Sequence, residues 1–232
     1  MEDRDPESCR TPRVWRQLPA TYCDQTARGK DRGRVNSEHR EIRLSGSGGQ
    51  GLALAGRILA EALLREGKQI AQSSSYEPTS RGGLSRADLV VDTGELYYPL
   101  VVRLDLVVIL DPVAVNLPPE SLAPQALIVI DQEIETPSWK NCQLLSLPLL
   151  QTARTVGNPR VTNIVALGAL NQASKTVGPN TLQMVIRERV PSKFLQLNLE
   201  AFGAGVALVA DAPETAPATP TVSQAAAPAV VN

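Results

Sequence analysis

A chain of 232 residues is long enough for one well-buried α/β domain with tails, the arrangement favoured here, or for two small domains. A formal net charge of -1, a pI near 5.9 and only 3% aromatic residues supply neither the basic field nor the stacking surface that nucleic acid requires. The apolar runs 104–110 and 126–130 stop at Asp111 and Asp131, far short of the roughly 20 residues of a membrane span, and the N-terminus lacks the apolar stretch of a secretory signal, so a cytoplasmic protein is expected.

Residues 1–40 mix nine arginines and lysines with seven acids and show no hydrophobic period. They read as an arm that is disordered or ordered by a partner, because so few apolar groups cannot offset the chain entropy. The other reading is a start placed upstream of a domain that begins near Val35. The strongest signal follows at residues 41–66. Ile42 and Leu44 alternate as in a strand, whereas Leu52, Ala55, Ile58, Leu59, Ala62 and Leu63 recur at helical spacing. Between them Gly46, Gly48, Gly49 and Gly51 form a hinge that opens the helix. Glycines there permit positive φ and close backbone approach, and the first N–H groups of the helix face whatever occupies the hinge, so an anion is suited to it.

Gly46–Gly51 reads as GxGxxG in the strand-before, helix-after context of a dinucleotide-binding fingerprint. That fingerprint also needs an acid about 20 residues on, at the end of the next strand, to hold the ribose hydroxyls. The next strand, Gln69–Ser73, runs out into Ser74 and Ser75 with no acid at its end; Glu66 is too early and Glu77 too late. Nicotinamide binding is therefore disfavoured, and no His, Lys or Tyr set stands out as a proton donor for a self-sufficient dehydrogenase. Glycines serving only tight strand-to-helix packing, in a purely structural interaction module, remain the third reading.

The loop 73–85 carries hydroxyls, Arg81 and the pair Gly82-Gly83. Arg81 offers a planar fork for phosphate or carboxylate; the alternative is a plain surface turn. Further strands are expected at 87–91, 106–110, 126–130 and 143–147, the first of these ahead of two with near-continuous Val, Ile and Leu. Such runs indicate burial on both faces and a mostly parallel sheet covered by helices, with connections long enough for crossovers. Helices are expected at 162–174, 180–190 and 193–209, punctuated by Gly178-Pro179 and Pro191. Gly168 allows the first of them a close approach, and the last carries Phe194, Leu197, Ala201 and Phe202 at docking intervals. Residues 211–232, rich in Ala, Pro, Thr and Ser, read as a flexible tail. Cys9, Cys23 and Cys142 are scattered and His39 is the sole histidine, so this chain alone supplies neither a four-cysteine cluster nor a zinc site, and Cys142 reads as a small core residue.

Four separated motifs, LSGSGGQGLALAGRILAEAL at 44–63, SYEPTSRGGLSRADLV at 75–90, Asn163 ahead of LGAL at 167–170, and NLEAFGAG at 198–205, occur here in an order and spacing that resembles the gamma subunit of the 2-oxoacid:ferredoxin (or other acceptor) oxidoreductases. The resemblance covers about residues 41–207; Glu77 stands where members commonly carry Gly, and the arm and tail fall outside the pattern. It implies a single Rossmann-like α/β domain at 41–210. It further implies an accessory role in a complex that oxidatively decarboxylates a 2-oxoacid to an acyl-CoA. Thiamine diphosphate and Mg would sit on alpha and beta subunits, and iron-sulfur clusters on a ferredoxin-like subunit, with CoA as co-substrate. This chain has no GDG-and-asparagine motif for magnesium-thiamine diphosphate. Candidate binding residues are Gly46, Gly48, Gly49, Gln50, Gly51, Tyr76, Arg81, Gly82, Gly83 and Ser85, facing CoA, thiamine diphosphate or a neighbouring subunit, with no catalytic and no metal-ligating residue. Arg81-Gly82-Gly83 followed by Leu84-Ser85 is more similar to the 2-oxoglutarate branch than to the pyruvate branch.

Overall fold

The computed structural model describes residues 39–77, 82–94, 96 and 98–210. Nearly all of the expected arm, the tail 211–232 and Arg81 lie outside them. Strand β1 (Arg40–Ser47) passes through the glycine hinge into helix α1 (Leu52–Arg65). Strands β2 (Gln69–Tyr76), β3 (Leu84–Asp92), β4 (Leu104–Ile109), β5 (Leu122–Asp131) and β6 (Cys142–Leu147) follow, then helices α2 (Leu149–Val156), α3 (Thr162–Ser174), α4 (Pro179–Arg189) and α5 (Ser192–Ala210).

The sheet has the order β2-β3-β1-β4-β5-β6. β1, β4, β5 and β6 pair in parallel, while β3 is antiparallel to both β1 and β2. The unit β1-α1-β2 is thus a parallel crossover, but β3 is inserted between its two strands instead of their pairing directly. Ser73 is not the end of β2, because antiparallel bonding to β3 carries that strand on to Tyr76. β3 likewise begins earlier than its apolar run, at Leu84, and β5 starts at Leu122.

The buried side chains of all five described helices belong to one cluster, packed on Ile42, Leu44, Leu89, Leu106, Val108 and Val129 of the sheet. On the opposite face Val107, Ile109, Ile128 and Ile130 pack under Ala114, Leu117, Ile134 and Trp139. Both faces of β4 and β5 are buried, as their composition indicates, and among the described residues the helices cover one of them. The connections from β4 to β5 and from β5 to β6 contain only short turns, including the 3-10 turn Pro112–Ala114. Towards β1 and β3 the helix-free face turns polar, and the directly opposed Arg43 and Asp88 form a two-pronged pair at 2.7 Å for each contact.

Helix α2 was not expected from sequence, although Leu149, Ala153 and Val156 stand at helical spacing, and one acid organises its start. Asp131, at the end of β5 and 3% exposed, accepts the Leu150 N–H at 2.7 Å through one carboxylate oxygen and the Glu133 N–H at 2.9 Å through the other. Helices α3 and α5 cross at Gly168 and Gly205, where a Cβ would lie 2.3 Å from the Phe202 carbonyl oxygen and 2.0 Å from that of Val165. Backbone touches backbone there, which no larger residue permits.

Candidate functional site

β1 and β4 are neighbours whose outgoing connections run in opposite directions, β1 towards β2 and β4 towards β5. Open α/β sheets hold ligands outside the carboxyl ends of such a strand pair. The hinge Gly46–Gly51 occupies this place, between the end of β1 and the first turn of α1.

Gln50 shapes the hinge from inside. Its side-chain oxygen accepts the Ser47 N–H at 2.9 Å and its Nε2 donates to the Leu110 carbonyl at 3.1 Å, tying the hinge to the end of β4. Gly46 must be glycine for this to occur, since a Cβ would lie 2.1 Å from the Gln50 oxygen. Gly51 precedes the helix at φ 74°, in the left-handed region. Its carbonyl accepts from Leu54 N and Ala55 N, both at 3.1 Å, and from Asn163 Nδ2 at 2.9 Å. The N–H groups of Gly49, Gly51, Leu52 and Ala53 have no acceptor among the described residues. Gly48 and Gly49 are exposed. The result is a short run of backbone donors without an acceptor among the described residues, at the positive end of a 14-residue helix whose first turn contains no acid.

The second glycine loop lies beside the first. Gly48 N–H donates to the Gly83 carbonyl at 2.9 Å. Gly46 pairs with Ser85 across β1 and β3, and Ser85 pairs in turn with Tyr76 across β3 and β2, so these three residues form one row at the sheet edge. Gly82 is exposed at φ 79°. Glu77 closes the turn: its N–H donates to the Leu84 carbonyl at 2.9 Å and its carboxylate accepts the Leu84 N–H at 3.3 Å. The structure therefore brings Gly46, Gly48, Gly49, Gln50, Gly51, Tyr76, Gly82, Gly83 and Ser85 to one edge, Arg81 alone lying outside the described residues.

Asn163 was visible in sequence only as part of a motif, and its contact with the hinge was not. An Asn in the first turn of a helix that is buried from Thr162 to Asn171 was the available signal. Cys142 is half-buried beside the helix-free cluster, and burial pushes its thiol up from the ordinary range, away from nucleophilic use. Among the described residues there is no group of three or more His, Cys, Asp or Glu able to hold a metal, and no helix long and apolar enough to cross a membrane.

A mixed, mostly parallel sheet with a glycine hinge at the diverging strand pair defines an α/β protein of Rossmann-like type. The model of the pyruvate ferredoxin/flavodoxin oxidoreductase family matches residues 41–208, and the chain belongs to that family. It is 33% identical over 165 residues to the 2-oxoglutarate synthase subunit KorC of Archaeoglobus fulgidus, covering 71% of this chain and 84% of that one. The gamma subunit of a keto/oxoacid ferredoxin oxidoreductase from Geobacter sulfurreducens superposes with a TM-score of 0.67 at 34% identity, over 74% of this chain and 97% of the other. The 2-oxoglutarate:ferredoxin oxidoreductase of Magnetococcus marinus, solved with 2-oxoglutarate, coenzyme A and succinyl-CoA bound, superposes with a TM-score of 0.69 at 25% identity, over 77% of this chain and 32% of that longer one. The chain is homologous to the gamma subunits of 2-oxoacid:ferredoxin oxidoreductases and is accordingly an accessory subunit of such an enzyme complex.

Proposed function

We propose that this subunit serves a cytoplasmic complex that oxidises a 2-oxoacid and CoA to an acyl-CoA and CO2, releasing two electrons. Thiamine diphosphate and Mg are held by alpha and beta subunits, and the electrons leave through iron-sulfur clusters of a ferredoxin-like subunit. The working domain in this reading is residues 41–210. The proposed 2-oxoacid is 2-oxoglutarate, supported by the KorC relatives and by the Arg81-Gly82-Gly83-Leu84-Ser85 loop.

One observation carries the role of the site. The Gly48–Gly83 hydrogen bond joins two glycine loops, each suited to an anion, at the carboxyl edge of the sheet. The backbone donors of Gly49 and Gly51, the Ser85 and Tyr76 row, and the guanidinium of Arg81 together suit the phosphates of CoA. Gln50 contributes from inside by holding the hinge.

Arg81→Ala tests this reading in the assembled complex. It is expected to leave the complex intact and to raise the apparent KM for CoA by about ten- to hundredfold, the equivalent of losing one charge-assisted hydrogen bond. Arg81→Lys restores part of the loss, because a point charge does not reproduce a two-pronged contact. If the loops instead contact a neighbouring subunit, Arg81→Ala weakens association and leaves CoA kinetics unchanged in the surviving complex. An intact complex with wild-type CoA kinetics defeats both readings.

A further inference from the structure

Asn163 is 5% exposed and lies 112 residues beyond the hinge it touches. Its side-chain oxygen accepts the Ile164 N–H at 2.9 Å while its Nδ2 donates to the Gly51 carbonyl at 2.9 Å. One partner is a donor and the other an acceptor, so the amide has a single satisfactory orientation. Gly51 is the residue that must hold a left-handed conformation for the chain to turn from the hinge into α1. A Cβ on Gly51 would come within 2.6 Å of Asn163 Nδ2, so the amide occupies the space a side chain would take. Its base is firm: α3 is buried along Thr162–Asn171 and locked against α5 through Gly168 and Gly205.

We propose that Asn163 is a positioning residue for the glycine hinge. It anchors the Gly51 carbonyl inward on the most buried helix of the domain, and this turns the N–H groups of Gly49, Gly51 and Leu52 outward. Gln50 performs the matching task on the other side, where it ties Ser47 and the hinge to Leu110 of the β4 end. Asn163 thus holds the loop from α3, and Gln50, within the loop, fastens it to the end of β4. This inference rests on the reading of the hinge as the CoA-facing loop, and the test separates the two.

Asn163→Asp keeps the size of the side chain, loses the donor and sets a carboxylate against a carbonyl oxygen. Asn163→Ser keeps an oxygen near the Ile164 N–H but is too short to reach Gly51. Each variant is assembled into the full complex, alongside Arg81→Ala, and examined by amide hydrogen exchange and by CoA and 2-oxoacid kinetics. The expected result is exchange accelerated about tenfold or more at the hydrogen-bonded hinge amides of Gly48, Gln50, Leu54 and Ala55 and unchanged around Gly168 and Gly205. With it comes an apparent KM for CoA raised about tenfold, while kcat at saturating CoA and the KM for the 2-oxoacid hold. Unchanged exchange at the hinge in both variants overturns the proposal. So does a hinge that loosens with CoA kinetics intact when Arg81→Ala has raised the CoA KM, because the hinge geometry is then not what CoA binding needs. A loosened hinge with neither Arg81→Ala nor the Asn163 variants altering CoA kinetics defeats the CoA reading of the loops and leaves Asn163 as the residue that sets their shape.

Discussion

The Gly48 N–H donates to the Gly83 carbonyl at 2.9 Å, and this one bond joins the hinge after β1 to the loop before β3. Its neighbour Gly49 has no such acceptor among the described residues. Backbone amides tied to a partner exchange through local opening, whereas exposed free ones exchange without it. Exchange measured residue by residue should therefore find Gly48 protected and Gly49 not, and a Gly48 amide that exchanges as fast as Gly49 would show that the two loops are not coupled.

The crossing of α3 and α5 leaves no room for a methyl group. Gly205→Ala puts a carbon 2.0 Å from the Val165 carbonyl oxygen, so the helices must separate, at a cost of about 1–3 kcal/mol or more. Gly203, two residues earlier and so on the opposite, exposed face of the same helix, has nothing within 4 Å of the corresponding position. Gly203→Ala should raise stability by about 0.5–1 kcal/mol, because alanine loses less backbone entropy on folding. Urea unfolding of the two variants gives opposite signs if the crossing is as described.

Removing the buried Asp131 carboxylate leaves the partly buried Leu150 N–H and the more exposed Glu133 N–H without their acceptor. Asp131→Ala should cost roughly 2–4 kcal/mol and fray α2 first. Asp131→Asn should recover a part, since its single amide oxygen accepts only one of the two bonds. Equal stability of Asp131→Ala and wild type in urea unfolding would sink this account of the helix start.

His39 sits half-exposed between two acids, 3.0 Å from Asp92 and 3.4 Å from Glu41. Burial lowers its pKa, but the hydrogen bonds to Asp92 and Glu41 outweigh this and hold the imidazole above its ordinary value of 6.5. For Asp92, burial raises the pKa, and the Gly94 N–H and His39 together hold it below its ordinary 3.8. A raised pKa means the folded state binds the proton more tightly, so the His39 contribution is complete below 6.5 and fades as pH climbs through the raised folded value. The Asp92 contribution is complete above 3.8 and fades on acidification. His39→Gln should accordingly destabilise the protein at about pH 5.5 and by less at about pH 9, with a difference under about 1 kcal/mol because the ring is exposed. Melting temperatures of the two proteins that differ equally at both pH values would contradict this.

The hinge and α1 were legible from sequence because both are local: a glycine run followed by apolar residues at helical spacing specifies its own geometry through neighbours a turn away. Helices α3, α4 and α5 were readable within a residue or two at their ends for the same reason, aided by Pro179 and Pro191. The four motifs identified the family because their order along the chain is itself sequence information. The placement of β3 between β1 and β2 was not legible, since strand neighbours are chosen by pairing across many residues and an apolar alternation carries no direction. Nor did the runs in β4 and β5 tell a helix from a turn as the cover on each face, because a buried side chain records only the loss of water. Helix α2 was missed because its apolar period spans only eight residues and the aspartate that starts it lies 19 residues earlier; Asn163 was missed because its amide reaches Gly51 only after α3 is packed under the hinge. Side-chain type could nominate the residues of the site; bringing Gly48 to Gly83, and aligning Gly46, Ser85 and Tyr76 in one row, took the folded sheet, because those contacts exist only once distant segments share an edge.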